Sequence, residues 1–144
     1  MRRSILAVGC AFIVAGAFAQ VSSPTAILPS TVKWTPSPAV PGLESAWFVG
    51  VADKQGIYAL RVKLPSGAKI PPHTHPDDRF SVVLSGTIHV GFGEIFDERT
   101  VVAIPTGGIY VAPAGVSHYV WAKDGDAIYQ ESGVGPTATN FIKQ

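Results

Sequence analysis

The sequence predicts an all-β domain, a barrel or sandwich of short antiparallel strands. Three observations lead there. Short strand-like runs follow one another closely, each bounded by Gly, Pro or Asp-Gly turns. No run carries the 3.6-residue period of an amphipathic helix, although Glu94–Glu98 could make one turn. The chain holds 15 Gly and 12 Pro among 144 residues, and only 15% of it is charged, a balance that suits frequent turns around a moderate core.

The first residues read differently from the rest. Arg2 and Arg3 precede an apolar stretch from Ile5 to Ala17, and Ala17-Phe18-Ala19 is a small-x-small cleavage pattern. This predicts a secretory signal peptide over residues 1–19, cleaved after Ala19, because the apolar stretch is short for a bilayer span. An uncleaved anchor is the competing reading. A lipoprotein through Cys10 is weaker, since Ala7 stands where a lipobox prefers Leu. The expected location is periplasmic or secreted, with no membrane attachment after cleavage.

Cleavage removes Cys10, the sole cysteine, so the mature chain has neither disulfides nor thiolate ligands. Any metal site must use nitrogen and oxygen. The mature chain carries nine Lys and Arg against ten Asp and Glu. No basic stripe suggests nucleic acid as a partner. The remaining 125 residues make one domain of ordinary size.

Residues 20–44 form a Pro-, Ser- and Thr-rich arm, with Pro24, Pro29, Pro36, Pro38 and Pro41. Proline cannot donate to a ladder, so the arm is expected to hold at most a short edge strand. It could pack over the barrel or cross to a partner subunit. Strands are then expected at Ala46–Ala52 and Ile57–Leu64, split by Asp53-Lys54-Gln55-Gly56. Phe80–Leu84 and Ile88–Phe92 are joined across Ser85-Gly86 as a hairpin. Val101–Ile104, Tyr110–Ala112, His118–Ala122 and Ala127–Ser132 complete the set. Residues 45–144 are the predicted domain.

Within it, three of the four histidines fall in two turn-punctuated blocks. His73 and His75 sit two apart, flanked by Pro72 and Pro76. Residues i and i+2 of a strand share a face, so both imidazoles would point one way, and by the same parity so would Arg79. His118 follows the turn Pro113-Ala114-Gly115. A third imidazole from a facing strand would complete a three-nitrogen set and leave positions open for water or substrate. His89 matches neither block and reads as a surface or hydrogen-bonded histidine. Tyr58, Phe80, Tyr110 and Trp121 read as core or barrel rim. Gly133 and Gly135-Pro136 shape the exit from the last strand.

These blocks resemble the two motifs of the cupin superfamily. In the first, Gly67 is followed after five residues by His73-x-His75, then after three by Arg79 and after six by Gly86. In the second, Gly107 is followed after five residues by Pro113-x-Gly115, then after two by His118 and after three by Ala122. Arg79 stands where the family has Glu, and Ala122 where it has Asn. The resemblance covers about residues 45–135. It implies a cupin-type antiparallel β-barrel, a double-stranded β-helix of the jelly-roll or RmlC-like kind. It also implies a homodimer and one divalent transition metal, Zn, Mn or Fe, on His73, His75 and His118.

An arginine cannot ligate a cation and would repel it. Three arrangements follow. Arg79 could turn away and pair with Asp77, Asp78 or Glu131 beside a three-histidine site. Asp77 or Asp78 could supply the lost carboxylate. Or the site could hold no metal, with Arg79 binding an anion. Arg79 and Gln130 are the candidate substrate-binding residues. The function expected is an extracytoplasmic metal-dependent enzyme, dioxygenase-like, on a small anionic or oxygen-rich molecule. The alternative is a non-catalytic cupin that binds or senses a small molecule or anion without metal.

Overall fold

Alternating burial along the strands sorts them into two facing sheets. The computed structural model describes residues 23–143; the predicted signal peptide lies outside the described residues. The strands are β1 (Thr35–Pro36), β2 (Glu44–Val49), β3 (Gly56–Leu64), β4 (Lys69–Thr74), β5 (Arg79–Ser85), β6 (Thr87–Phe92), β7 (Val102–Pro105), β8 (Ile109–Ala112), β9 (His118–Trp121), β10 (Ala127–Gly135) and β11 (Asn140–Phe141). The first sheet runs β1-β2-β3-β10-β5-β8 and the second β11-β4-β9-β6-β7. Every pairing is antiparallel. This is the jelly-roll barrel expected from the sequence.

The core is the inward half of each alternation. Val62 and Leu64 of β3, Val83 of β5, Ala127 and Tyr129 of β10 face Ile88 and Val90 of β6 and Val120 of β9. All are buried. Burying a side chain of this size contributes roughly 1.5–3 kcal/mol, which is why the strands need no disulfide.

The outer faces differ. On the second sheet, the loop after β6 lays Phe96 against Tyr119, 4.7 Å between ring centres. Lys69 sits over Trp121 at 4.4 Å. Glu94–Glu98 is therefore a covering loop, not the helical turn the sequence suggested: its backbone bonds the Tyr119 hydroxyl at Asp97. On the first sheet, among the described residues, Arg61 lies over Phe48, but the outward side chains of β5 and β8 stay exposed, Phe80 among them, outside the core.

The arm holds one short 3-10 turn, Pro29–Thr31, and the two-residue β1. Thr35 pairs with Ser45 and Pro36 with Glu44, so this part of the arm lies along its own barrel.

Candidate metal centre

Two irregularities aim the histidines inward. The register of β4 against β9 shifts between Ile70 and His73. Without it, positions three apart would face opposite sides; a bulge lets Ile70 enter the core while His73 enters the site. Strand β4 then ends at Thr74, and His75 leads a break before β5 begins at Arg79. So the simple parity from His73 to Arg79 does not apply: the histidines hang from one sheet and Arg79 from the other. The His75 carbonyl accepts the Gly115 amide at 2.8 Å. Gly115 has φ +74°, a turn conformation that glycine adopts without strain. This turn delivers His118 opposite His73, its register partner.

The three imidazoles are buried, with ligand nitrogens within 4.8 Å of one another. Ring centres lie 4.3 Å apart for His73–His118, 4.8 Å for His73–His75 and 5.2 Å for His75–His118. Each Nδ1 meets a backbone carbonyl: Pro71 for His73 at 2.7 Å, Ala138 for His75 at 2.7 Å, Val116 for His118 at 3.3 Å. A carbonyl only accepts, so Nδ1 carries the proton and Nε2 keeps its lone pair. Nε2 of His75 and of His118 is buried with no hydrogen-bond partner. Bare imidazole nitrogens converging on one point fit a metal ion, and outer carbonyl bonds of this type orient metal-binding histidines. Burial pushes His73 down to about 4, helped by His118, and His75 down to about 3, helped by the Arg79 charge. His118 is lowered by burial as well. The neutral rings this favours are the form that ligates.

Arg79 takes the first of the three arrangements. Its guanidinium is buried and donates to Asp77 Oδ1 and Glu131 Oε2, both at 2.9 Å. It also donates to Thr137 Oγ1. Asp77 further accepts from Thr137 and from the Tyr58 hydroxyl, each at 2.5 Å. Asp77 is thus committed on both oxygens and is not a vacant ligand. Asp78 is exposed and accepts the Ala114 amide at 2.8 Å, pinning the turn before His118. Asp77, Arg79 and Glu131 together carry a formal charge of −1, the charge of the single Glu in the family pattern. The arginine's repulsion for a cation is offset by two carboxylates at contact distance.

Gln130 faces the other side of β10. It accepts from Arg61 Nε at 3.0 Å, while Tyr129 and Glu131 line the cavity beside His73 and His75. The polar residue of this strand that lines the cavity is therefore Glu131, not Gln130. Alternation carried the signal: Ala127, Tyr129 and Glu131 share a face, and a carboxylate in phase with two apolar residues points inward. Thr137, Ala138 and Phe141 come from the C-terminal segment, which pairs with β4 at Phe141–His73. The sequence carried no pattern for these. His89 is buried on the outer face beside Trp121, its Nε2 3.4 Å from Asp124.

The cavity measures about 360 Å³ and is walled by the arm, β3 and the C-terminal segment. A family model described as "Cupin domain" matches residues 60–130. This chain is a cupin. Similarity to known cupins runs through the barrel. Germin-like protein 3-1 of Oryza sativa subsp. japonica is 31% identical over 74 residues, 51% of this chain and 33% of that protein. The chain thus spans about a third of that relative's length. KdgF from Halomonas sp. superposes with TM-score 0.63 at 21% identity, over 78% of this chain and 94% of the other. The polyketide cyclase RemF from Streptomyces resistomycificus gives 0.70 at 13% identity, over 85% and 87%. These likenesses establish the cupin fold. Among the described residues, no helix is long and apolar enough to cross a membrane.

Proposed function

We propose that this cupin is an extracytoplasmic metal-dependent enzyme acting on a small molecule in the barrel, with dioxygenase-like chemistry as the leading class. The observation that carries the reading is the buried triad His73, His75 and His118, with each Nδ1 bonded to a carbonyl. The metal is Zn, Mn or Fe; imidazole ligation does not choose among them. Such an ion supplies Lewis acidity, and with Mn or Fe a redox couple. The chain's residues do the rest. The carbonyls hold the rings in one tautomer, the Arg79 cluster sets the local charge, and the arm and C-terminal segment shield the site from water.

The anion-binding alternative needs a free Arg79 guanidinium. Both of its terminal nitrogens are paired with Asp77 and Glu131 and only the buried Nε is left without a partner, which favours the metal reading. Export rests on the predicted signal peptide. A homodimer is proposed from the uncovered outer face of the first sheet, where Phe80, Ile109 and Val111 are exposed.

The test is elemental mass spectrometry on residues 20–144, purified without chelator or nickel resin, with His73→Ala alongside. The expected result is near one equivalent of one transition metal, lost in the variant. Folded wild-type protein that neither carries nor takes up metal overturns the proposal.

A further inference from the structure

Among the described residues, seven buried side-chain polar atoms have no hydrogen-bond partner. Two are the Nε2 atoms of His75 and His118. Two more, on His89 and Trp121, belong to the outer face of the second sheet. The other three lie inside the barrel on the first sheet: Arg79 Nε, Ser81 Oγ and the Tyr110 hydroxyl.

Strand pairing brings these three together. Ser81 of β5 pairs with Tyr110 of β8 on one side and with Glu131 of β10 on the other. Tyr110, Ser81 and Glu131 thus make one row across the first sheet, and all three are buried. Arg79 precedes Ser81 by two residues on the same face of β5 and donates to Glu131. On the second sheet, His118 and His73 are register partners in their turn. The two rows meet at both ends. The Tyr110 and His118 rings stand 6.0 Å apart, centre to centre, and Glu131 lines the cavity with His73 and His75. Ser81, in the middle of its row, therefore lies across the barrel from the triad.

All three atoms can donate: two are O–H groups and one is an N–H. A buried donor without an acceptor is costly, and native interiors keep few of them. Turning the two hydroxyls toward each other would still leave one O–H and the Nε–H unmet. The acceptor that suits them is an oxygen with lone pairs to spare. Charge favours an anionic one. A divalent ion on three neutral imidazoles, beside the Asp77, Arg79 and Glu131 cluster of formal charge −1, leaves a net +1 in a buried site.

Resting on the metal reading above, we propose that the Tyr110 and Ser81 hydroxyls, with the Arg79 Nε–H, are a substrate-binding donor set: they donate hydrogen bonds to a carboxylate, enolate or alkoxide oxygen of the molecule bound at the ion. The rest of that molecule occupies the cavity. Its wall mixes apolar side chains, such as Val40, Leu60 and Phe141, with the hydroxyls of Ser37, Ser45 and Thr139.

The experiment loads the mature chain with cobalt(II) and follows an acetate titration in the visible spectrum of the ion. Tyr110→Phe and Ser81→Ala are each expected to weaken acetate by about tenfold, the scale of one hydrogen bond to a charged acceptor. Cobalt content, read by elemental mass spectrometry, is expected to stay at the wild-type value, because neither hydroxyl is a ligand. Thermal unfolding of metal-free Tyr110→Phe is expected to match the wild type or exceed it, since the lost hydroxyl has no partner in the protein. Tyr119→Phe removes a hydroxyl bonded to Asp97 on the outer face and is expected to leave acetate affinity as it was. Wild-type acetate affinity in either Tyr110→Phe or Ser81→Ala overturns the inference, as it would if the hydroxyls held only a buried water. So does an equal loss in Tyr119→Phe, which would mark an effect of packing, or a loaded wild type whose spectrum ignores acetate. A chain that takes up no cobalt sinks the metal reading and this inference with it. A loaded chain indifferent to both substitutions sinks this inference alone.

Discussion

Arg79 and Glu131 meet at 2.9 Å across the β5–β10 pair, an ion pair sealed inside the barrel. The arginine occupies the family's metal-ligand position, yet it acts as the clasp for two acids. Burial alone would lower the Arg79 pKa, but the Glu131 and Asp77 charges outweigh it and raise it. Burial raises Glu131, with Arg79 opposing. For Asp77, hydrogen bonds from Thr137, Tyr58 and Arg79 outweigh burial and hold its carboxyl below the ordinary range.

Removing the clasp should therefore cost more than an exposed ion pair would. Arg79→Met leaves two buried carboxylates without their counter-ion, and a loss of about 3–5 kcal/mol is expected. Arg79→Glu should be worse, because it adds a third acid rather than restoring a ligand. The swap Arg79→Glu with Glu131→Arg should recover part of the loss. Denaturant unfolding of the wild type, Arg79→Met, Arg79→Glu, Glu131→Arg and the swap measures this, and additive losses in the swap would show that the pair is not coupled.

The histidines predict an acid response of the metal-free protein. Unfolded imidazoles take up protons near pH 6.5, whereas folded His73 and His75 resist until about 4 and about 3. The unfolded state thus binds more protons as pH falls from 6.5, so stability is complete above that value and declines below it. Each such histidine adds a slope of up to about 1.4 kcal/mol per pH unit. Glu131, raised by burial, opposes the trend without cancelling two imidazoles. Thermal unfolding from pH 7.5 to 4.5 should show the decline, and His75→Gln should flatten it. A Tm independent of pH over that range would contradict neutral buried rings.

How far the sequence reaches can be seen at these same residues. Strand positions, the barrel and the triad were readable because turns and period-2 alternation are local properties, and the two histidine blocks have fixed spacing. The Arg79 cluster was only one of several arrangements, because Pro76 and the strand break at His75 destroy parity between His73 and Arg79. Gln130 faces out and Glu131 in, a phase set by Tyr129 two residues before Glu131. The Ala138 carbonyl that orients His75 could not be foreseen: any residue offers a carbonyl, and only the chain path selects one.

Gly91 guards the back of the site. It pairs with Tyr119 across β6 and β9, and a Cβ there would fall 2.2 Å from the Tyr119 ring. That ring is fully buried and cannot yield without moving β9, which carries His118 next door. Gly91→Ala should destabilise by about 1–3 kcal/mol or more and weaken zinc binding with it. Unfolding curves and a competitive zinc titration test both effects; wild-type values in either would mean the strand adjusts freely.

The outer face of the first sheet predicts assembly. Ile57, Phe80, Ile109, Val111 and Val134 are all exposed on neighbouring strands. Phe80 stands opposite Val111, and Ile57 opposite Val134. A patch of this kind is larger than isolated surface residues warrant. The nearby charge of Arg61 is already placed, stacked on Phe48 at 3.9 Å and bonded to Gln130. A second copy presents the same apolar face, so a two-fold contact would bury no uncompensated charge, and a stable pair needs about 800 Å² from each partner. Light scattering of the mature chain at micromolar concentration should give twice the monomer mass. Ile109→Lys with Val111→Lys should return it to the monomer, while Ile95→Lys, on the loop covering the opposite sheet, should leave the dimer intact. A monomeric wild type, or a dimer indifferent to the double lysine variant, would place the apolar face outside any self-contact.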